Sequence, residues 1–419
     1  MSATHPLVLP ALHRRILSAV SRAGALSRAD ISRKLGVSRS KLSPEIAALV
    51  ARGLLVPQGL DESRGGRRGS LLACGGPEVA VLAGVDIDTH RISVVVTTLG
   101  LHPLAEHHLD LAVADDPARA LDLAADAVEK CLPAAHPTLA AIGVSIAADI
   151  EPVSGRPVAP PTMPRWSGWP VAESFANRFG VRAFIDNDVN ALALAEAQAR
   201  SRAGRASSHG EALMVLKVSS GLGCGIVIDG TVFRGSRGSA GDIGHICVDP
   251  HHEARCVCGN RGCLEVVASA PAIIRRAEDL ARTGESAMLA TMLAEHPRLT
   301  LDLLGEATSA GDPAAVSLLR ETGSHIGFVL AGLVSFFNPH AIVVSSGIAG
   351  GEDILLSAIR QMVYQRALPA STRDLQIVDL AFTPDGGALG AAVLACEGFL
   401  GTAGRVAEAR PTASSARSV

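Results

Sequence analysis

The sequence has few aromatic residues and no long apolar run. Aromatic side chains make up 3% of the 419 residues, so extended aromatic platforms for a ligand are not expected. The longest apolar stretch, residues 326–337, covers 12 residues, whereas a helix that crosses a bilayer needs about 20. The first residues lack the charged start and the unbroken apolar segment of a secretory signal. We therefore expect a cytoplasmic protein with no membrane partner.

Charge is distributed unevenly along the chain. Apolar residues make up 48% and charged residues 19%, a composition that supports packed cores. Residues 1–80 contain 12 basic and 5 acidic residues, whereas the remaining residues contain 26 basic and 36 acidic ones. The length predicts two or three domains, and the charges indicate a basic N-terminal module before an acidic body. A basic module of this size is compatible with nucleic-acid binding and also with an ordinary solvated surface.

Three segments near the N-terminus have apolar residues at helical spacing. The first ends near Gly24, the second runs from Ser27 to Gly36, and the third follows Ser38 and ends at Gly53. This order, with a glycine in the turn, predicts a helix-turn-helix. In such a unit the exposed start of the third helix enters the major groove of DNA. The candidate DNA-contacting residues there are Ser38, Arg39, Ser40 and Lys41.

The helical pattern leaves two alternatives open. A three-helix bundle with a solvated basic face would show the same spacing. Pro44 falls inside the third helix, where proline removes a hydrogen bond and tends to kink the helix. Because proline suits the first helical position, residues 43–45 can instead open a shortened helix.

Residues 63–69 have the sequence SRGGRRG, which is typical of the tip of a wing beside a helix-turn-helix. As a wing, the segment would bring Arg64, Arg67 and Arg68 to DNA phosphates or to a narrow minor groove. The same composition is also typical of a flexible linker.

After residue 76 the pattern changes to buried strands that alternate with helices. The spacing predicts strands over residues 79–87, 92–98, 139–146 and 182–185, and helices over residues 117–132, 171–179 and 189–200. This alternation predicts an α/β fold with mixed sheets. The segment 402–419 is rich in Ala, Ser and Arg and is expected to be disordered.

Three of the eight cysteines lie close together in a His-x10-Cys-x-Cys-x4-Cys pattern. Three thiolates and one imidazole suit tetrahedral zinc, and a set of four protein ligands makes a structural site. The residues are His245, Cys256, Cys258 and Cys263. Unliganded buried thiols are the alternative, and His251 and His252 compete for the role of nitrogen ligand.

Several stretches carry a resemblance to a known family. They are FIDNDVNALALAEA at residues 184–197, GLGCGIVIDGTVFRGSRGSAGDIGH at 221–245, CVCGNRGCLE at 256–265, NPHAIVVSSGI at 338–348 and GALGAA at 387–392. Together with the order of elements, they resemble the ROK family of repressors and sugar kinases. The resemblance implies a two-lobed, actin-like (ribonuclease H-like) sugar-kinase fold, preceded in the transcriptional branch by a winged helix-turn-helix.

The resemblance also implies domain boundaries. It places a DNA-binding domain over residues 1–76, a first lobe over 77–187 and a second lobe over 188–386. The helix over residues 387–400 is expected to return to the first lobe.

In ROK kinases an Asn-Asp pair binds sugar hydroxyls, and the Asp accepts a proton from the hydroxyl that attacks ATP. Asn187 and Asp188 match this pair, although both residue types also favour the start of a helix. The matching second-lobe residues are Asp242, His245 and Glu265. The resemblance also favours His245 over the two nearby histidines as a zinc ligand, because Gly244-His245 matches the family position.

Other sugar-pocket positions depart from the family. Ser145-Ile146 stands where the family usually has a Pro-Gly turn, and Thr162 stands where it often has Asn. The resemblance therefore does not identify the sugar.

The ATP-binding segments depart further from the family pattern. In the first phosphate loop, Asp88 replaces a glycine and His90 a threonine, and an extra carboxylate repels phosphates. Ser219 replaces a glycine in the second loop, and the adenosine segment reads Ser345-Ser346-Gly347. Since glycine allows the backbone to approach a ligand closely, these replacements argue against ATP binding and kinase activity.

The sequence thus predicts a transcription regulator, with repressor as the favoured sign. It is expected to bind a palindromic operator as a homodimer or homotetramer, to hold structural zinc, and to respond to a sugar or sugar derivative. Two alternatives stay open: an active ATP-dependent sugar kinase with a DNA-binding appendage and Asp188 as its base, and a regulator controlled by a protein partner.

Overall fold

The computed structural model describes residues 8–60, 70–134, 138–205, 212–380, 386–404 and 406–412. These residues form an N-terminal helical module, here called the head, followed by two α/β units.

The head contains three helices and a small antiparallel sheet. The helices are α1 (Ala11–Ala23), α2 (Arg28–Leu35) and α3 (Arg39–Ala51), and the strands are β1 (Ala25–Ser27), β2 (Leu55–Leu60) and β3 (Ser70–Cys74), in the order β1-β3-β2. The Ser27 hydroxyl accepts the Asp30 backbone N–H at 3.2 Å, and Gly36 ends α2 with a φ of 63°. Ile16, Ile31 and Ile46 meet in its core with no exposed surface.

The third helix begins earlier than one of the two sequence-based alternatives predicted. It runs from Arg39 through Pro44 to Ala51, so the hypothesis of a shortened helix that opens at residues 43–45 was wrong. Buried Leu42 lies before the proline and buried Ile46 and Leu49 lie after it. Packing of this face onto the head core stabilises the helix across the missing backbone N–H. The segment between β2 and β3, with Arg64, Arg67 and Arg68, lies outside the described residues.

The first α/β unit is built on a sheet with buried central strands. Its strands are β4 (Val81–Ile87), β5 (Arg91–Thr98), β6 (Pro103–Asp110), β7 (Leu139–Ile146) and β10 (Arg182–Asn187), and β16 (Ala407–Ala409) is added at one edge. The order is β16-β10-β7-β4-β5-β6. Strands β4, β7 and β10 are mutually parallel, whereas β5, β6 and β16 pair antiparallel with their neighbours. Helices α4 (Pro117–Cys131) and α5 (Val171–Phe179) accompany this sheet, and β8 (Asp149–Ile150) and β9 (Pro157–Val158) form a short ribbon.

The second unit repeats the strand order of the first. Its strands are β11 (Ala212–Val218), β12 (Leu222–Ile228), β13 (Thr231–Val232), β14 (Ala341–Ser345) and β15 (Gln376–Asp379), in the order β13-β12-β11-β14-β15. As in the first unit, a meander of three antiparallel strands is extended by two parallel strands. Two units with one strand order are what an actin-like fold requires.

The helices that follow the second meander share a hydrophobic core with its sheet, except for the short α13 (Pro369–Thr372), which has no buried residue. They are α7 (Leu264–Ala268), α8 (Ala270–Arg282), α9 (Ala287–Glu295), α10 (Leu301–Ser309), α11 (Pro313–Phe337), α12 (Glu352–Arg366) and α13 (Pro369–Thr372). Even α11, with 25 residues, lacks the apolar content of a membrane span, and the same holds for every helix of the described residues.

Two helices pack against each other next to the first sheet. Helix α6 (Asp188–Arg202) follows β10 directly, and α14 (Gly386–Leu400) packs on β4, β7 and α6. A side chain at Gly390 would lie 1.8 Å from the Ala191 carbonyl oxygen, and one at Gly143 would lie 1.8 Å from that of Ala391. Glycine at these positions therefore lets α14 approach both the sheet and α6.

The segment near the end of the chain contains a strand, although disorder was expected there. Residues Ala407–Ala409 form β16 and pair antiparallel with Ala183–Ile185, and the Arg182 guanidinium donates to the Glu408 carboxylate at 2.8 and 3.1 Å. Ala407 and Ala409 are buried and Glu408 between them is exposed, so this strand forms the edge of the sheet with one face buried. The prediction of disorder is wrong for this segment because small residues suit a buried edge strand; residues 413–419 lie outside the described part of the chain.

Candidate ligand cleft and metal cluster

A cavity of about 290 Å³, here called the cleft, lies at the ends of the strands of both units. The start of α6 forms its floor, the loop after β7 forms one wall, and the segments around Gly241 and Glu265 form the other. The cleft contains all five residues predicted to bind a ligand: Asn187, Asp188, Asp242, His245 and Glu265.

Asn187 and Asp188 occupy the junction of β10 and α6. The Asn187 side chain caps the helix, since its Oδ1 accepts the Val189 N–H at 2.8 Å, and its amide donates to the Ala148 carbonyl at 3.1 Å. Asp186, buried beneath, accepts the Asn187 N–H at 2.9 Å and is held by the Arg234 guanidinium at 2.6 Å. The pair is thus both a helix cap and part of the cleft wall.

Asp188 is paired with a lysine that the sequence reasoning missed. Lys217 Nζ, on β11, lies 2.6 Å from Asp188 Oδ2 and 3.6 Å from Asp88 Oδ2. We call Lys217, Asp88 and Asp188 the ion cluster. A lone lysine inside the apolar strand ALMVLKV was the available signal, because a buried ammonium requires a carboxylate partner.

The charges in the ion cluster stabilise one another. Burial opposes the charge of Lys217, but Asp188, Asp88 and Asp86 outweigh it and raise the lysine pKa, so the ammonium stays protonated. Burial also opposes ionisation of Asp88, yet Lys217 and two hydrogen bonds from Thr89 lower its pKa. Asp86 is part-buried and accepts the Ser145 hydroxyl, and its burial raises its pKa to about 6.

The opposite wall carries the second-lobe candidates. Glu265 Oε2 accepts the Leu222 N–H at 3.3 Å, and Asp242 is exposed, with its Oδ1 3.9 Å from His245 Nε2. Asp149, which the sequence reasoning also missed, accepts the Ser239 hydroxyl at 2.9 Å from the facing wall, and burial raises its pKa. The cleft therefore presents several hydrogen-bond acceptors to one cavity.

Some residues that the sequence placed at the sugar pocket do not line the cleft. Ser145 and Ile146 are fully buried in β7, and the next residues, Ala147 and Ala148, reach the cavity instead. Thr162 does line the cleft. The segment from Ser219 to Gly223, the altered second phosphate loop, also lines the cleft and lies next to the ion cluster.

His245, Cys256, Cys258 and Cys263 are brought together beside the cleft. We call them the Cys–His cluster; their ligand atoms all lie within 4.8 Å of one another. Cys258 and Cys263 sulfurs are 3.6 Å apart, and Cys256 Sγ is 3.3 Å from His245 Nδ1. A tetrahedral zinc site with bonds of about 2.3 Å has edges of about 3.8 Å, so these four residues can hold a metal ion.

The two ring nitrogens of His245 face different neighbours. Nδ1 faces the thiol of Cys256, whereas Nε2 faces Asp242 and the cleft. This geometry explains why His245 was predicted both as a metal ligand and as a ligand-binding residue of the cleft. The competing His252 already accepts the Ala254 N–H at its own Nδ1.

The predicted recognition residues lie at the start of α3. Ser38, Arg39, Ser40 and Lys41 are all exposed, and the Ser38 hydroxyl contacts that of Ser40 at 3.2 Å instead of capping the helix. A line of exposed polar side chains at the start of this helix is the surface that a helix-turn-helix presents to a major groove.

Helix α6 joins the cleft to the head. It begins at Asp188, and near its other end the Gln198 amide donates to the Ser21 and Arg22 carbonyls of α1 at 2.9 and 3.2 Å. On the neighbouring α14, Glu397 accepts from the Arg22 guanidinium at 2.7 Å. One helix therefore contacts both the cleft and the head.

These features define a class of protein: a helix-turn-helix head on a two-lobed, actin-like body with a polar cleft. The ROK family model matches residues 82–397, and the chain belongs to the ROK family. The xylose repressor of Caldicellulosiruptor bescii is 28% identical over 356 residues, which cover 84% of this chain and 87% of the relative.

Two solved structures extend the comparison. A ROK family transcriptional regulator, a homologue of the E. coli Mlc protein, matches with a TM-score of 0.75 and 25% identity, covering 93% of this chain and 96% of that one. A ROK glucokinase from Streptomyces griseus, solved with glucose and AMPPNP, matches with a TM-score of 0.65 and 26% identity, covering 75% of this chain and 99% of that one. The fold class predicted from the sequence is confirmed.

Proposed function

We propose that this protein is a transcriptional repressor that binds operator DNA through its head and is controlled by a sugar or sugar derivative in the cleft. The observation that carries the proposal is the combination of an exposed recognition helix with a cleft in which Asp188 is held by Lys217. The matches to a xylose repressor and to a ROK transcriptional regulator cover 84% and 93% of this chain, whereas the glucokinase match covers 75% of it.

Operator binding is assigned to the head, residues 1–76, with Arg39 and Lys41 as base-reading candidates because both can donate to guanine O6 and N7. A helix-turn-helix reads two half-sites about one helical turn apart, so the active species is a homodimer or homotetramer. Arg64, Arg67 and Arg68 are proposed to contact the DNA backbone.

Fluorescence anisotropy with the DNA upstream of its own gene tests this assignment. Arg39→Ala or Lys41→Ala should weaken operator binding by about 1–3 kcal/mol each, the value of a bidentate base contact. Arg119→Ala, on the exposed face of α4 in the body, is the matched control. Equal affinity of Arg39→Ala and Arg119→Ala for the operator would move recognition away from α3.

A polyhydroxylated ligand suits the cleft because each buried hydroxyl needs a partner. Asn187, Asp242 and Glu265 offer acceptors on both walls, and His245 Nε2 faces the same space. Zinc at the Cys–His cluster would be structural and would hold the loop that carries His245. A sugar at 100 times its dissociation constant should stabilise the fold by about 2.7 kcal/mol in a thermal-shift panel. If no sugar shifts the unfolding transition and a cell lysate that has been dialysed free of small molecules releases the DNA, a protein partner is the controlling ligand.

The ion cluster argues against phosphoryl transfer. A base that accepts a proton from a sugar hydroxyl must be free to approach it, yet Asp188 is 2.6 Å from Lys217. Asp88 places a carboxylate in the altered phosphate loop, where it repels phosphates. An active sugar kinase is the second candidate, supported by the shared glucokinase fold. Release of ADP from ATP and a sugar, lost in Asp188→Asn, would establish the kinase and reject the view that the cleft only binds.

A further inference from the structure

The loop that carries the Cys–His cluster contains one more cysteine. Cys247 lies two residues after His245, and it is not among the four clustered ligands. Of the eight cysteines, all within the described ranges, only Cys247 and Cys258 are exposed, and Cys258 belongs to the Cys–His cluster. Cys247 is therefore an exposed thiol that the metal site does not use.

Backbone hydrogen bonds place Cys247 directly opposite Cys263. The two residues form an antiparallel bridge. The Val248 N–H donates to the Gly262 carbonyl at 2.7 Å, and the N–H after Cys263 donates to the carbonyl before Cys247 at 2.9 Å. Because these two bonds lie on either side of the pair, Cys247 and Cys263 are a non-hydrogen-bonded pair, the kind in which facing side chains are closest.

The geometry of such a pair suits a disulfide. The Cα atoms of a non-hydrogen-bonded antiparallel pair lie about 4.5 Å apart, and both side chains leave the same face. A disulfide joins residues whose Cα atoms are about 4.4–6.8 Å apart. Gly262 permits the close approach of the two segments, since a side chain there would lie 1.6 Å from the Asp249 carbonyl oxygen. Rotation of side chains, without movement of the backbone, is therefore enough to join Cys247 to Cys263.

The two thiols differ in exposure and in role. Cys263 has no exposed surface, and its sulfur is 3.6 Å from that of Cys258 within the Cys–His cluster. Cys247 is exposed to solvent. Oxidation of a cysteine depends on its exposure, and a second thiol within reach converts the first oxidation product into a disulfide. An oxidant therefore reaches the pair through Cys247.

We propose that Cys247 is an oxidation site that withdraws Cys263 from the Cys–His cluster by forming a disulfide with it. The oxidant is a peroxide. With hydrogen peroxide, the Cys247 thiol becomes a sulfenic acid and one water is released. The Cys263 thiolate then attacks the Cys247 sulfur, the S–O bond breaks, and the hydroxyl takes up a proton and leaves as water. Two electrons pass from the two sulfurs to the peroxide.

The disulfide leaves three ligands in the cluster, His245, Cys256 and Cys258. A structural zinc site uses four protein ligands, so the affinity for the metal falls. Since His245 also faces the cleft, oxidation alters the cleft wall as well. Release of metal rests on the zinc proposed for the cluster, whereas the disulfide does not.

Peptide mapping of the full-length protein identifies the bond. Trypsin places Cys247, Cys263 and the remaining two cysteines of the loop in three separate peptides, residues 238–255, 262–275 and 256–261. After treatment with hydrogen peroxide and alkylation of free thiols, the peptides that contain Cys247 and Cys263 should be joined. A disulfide that involves peptide 256–261 in its place, or no disulfide at all, overturns the proposal.

Metal content measured during the same treatment separates the role of Cys247 from direct oxidation of the ligands. The native protein should lose its metal, whereas Cys247→Ser should keep it at the same peroxide dose. Glu253→Ser, at an exposed position in the same loop, is the matched control and should lose metal as the native protein does. Equal loss from Cys247→Ser and the native protein overturns the proposal, because the exposed ligand Cys258 is then oxidised directly. If the purified protein carries no metal, the zinc assignment fails, and the peptide map alone decides whether the disulfide forms.

Discussion

The Cys–His cluster and the ion cluster both border the cleft, yet only the ion cluster contains a lysine that pairs with its acidic groups. The Cys–His cluster lies within one loop and places three thiols and an imidazole close enough together to hold a metal ion. The ion cluster brings together Asp88 after β4, Asp188 at the start of α6 and Lys217 on β11, so a lysine of the chain itself pairs with its carboxylates. The two clusters therefore call for different tests: removal of a metal ligand in the first and removal of a side-chain cation in the second.

Loss of a metal ligand should have the largest effect. Cys258→Ser should release the metal and lower the unfolding temperature strongly, because metal binding energy is folding energy for such a loop. Metal content and thermal unfolding are measured together. Cys247→Ser is the matched control, since this nearby exposed thiol lies outside the cluster. Equal metal content in Cys258→Ser and Cys247→Ser would show that the Cys–His cluster does not bind the metal.

Loss of the internal cation should cost less. Lys217→Met leaves Asp188 and Asp88 without their partner and should destabilise the fold by at most about 3–5 kcal/mol, the cost of breaking a fully buried pair, because the Lys217 side chain is 19% exposed. Adding Asp188→Asn to this variant should recover part of the loss, because one uncompensated charge is removed. Urea unfolding of both single variants and the double variant measures the coupling. Strictly additive losses would show that the lysine and Asp188 do not interact.

The two clusters also show what sequence reasoning can reach. The Cys–His cluster was predicted because its four ligands lie close together in the chain and their spacing has a chemical meaning. Lys217 and Asp149 were missed because their partners come from remote segments, and only the sheet order brings them together. The strands of the first unit and the head helices followed from periodicity and capping, and the two-lobed fold followed from the resemblance. The edge strand Ala407–Ala409 did not, since a short run of small residues carries no strand signal.

The raised pKa of Asp86, beside the ion cluster, predicts a pH dependence of the free energy of unfolding. Its folded pKa, about 6, exceeds the ordinary 3.8, so the folded state binds more protons than the unfolded state between these values. Its contribution to stability is therefore present at low pH and is lost as the pH rises to about 6, a difference of about 3 kcal/mol. Asp86→Asn lacks this loss, so its stability relative to the native protein should rise between pH 4 and pH 7 and then level off.

Urea unfolding at several pH values measures the Asp86 effect. Asp122→Asn, an exposed carboxylate on α4, should show no such pH-dependent gain. A gain in Asp86→Asn that is the same at pH 4 and pH 7 would contradict the raised pKa.

The contact between α6 and the head should give the smallest change in stability and the most specific change in regulation. Gln198→Ala removes the hydrogen bonds to the Ser21 and Arg22 carbonyls and should cost about 1 kcal/mol. Because α6 begins at Asp188 and ends at this contact, the variant should also reduce the factor by which a cleft ligand changes operator affinity. Anisotropy with and without ligand measures that factor, and Gln361→Ala, exposed on α12, is the control. If Gln198→Ala keeps the full ligand response, the signal from the cleft reaches the head by another element, such as α14 through Glu397 and Arg22.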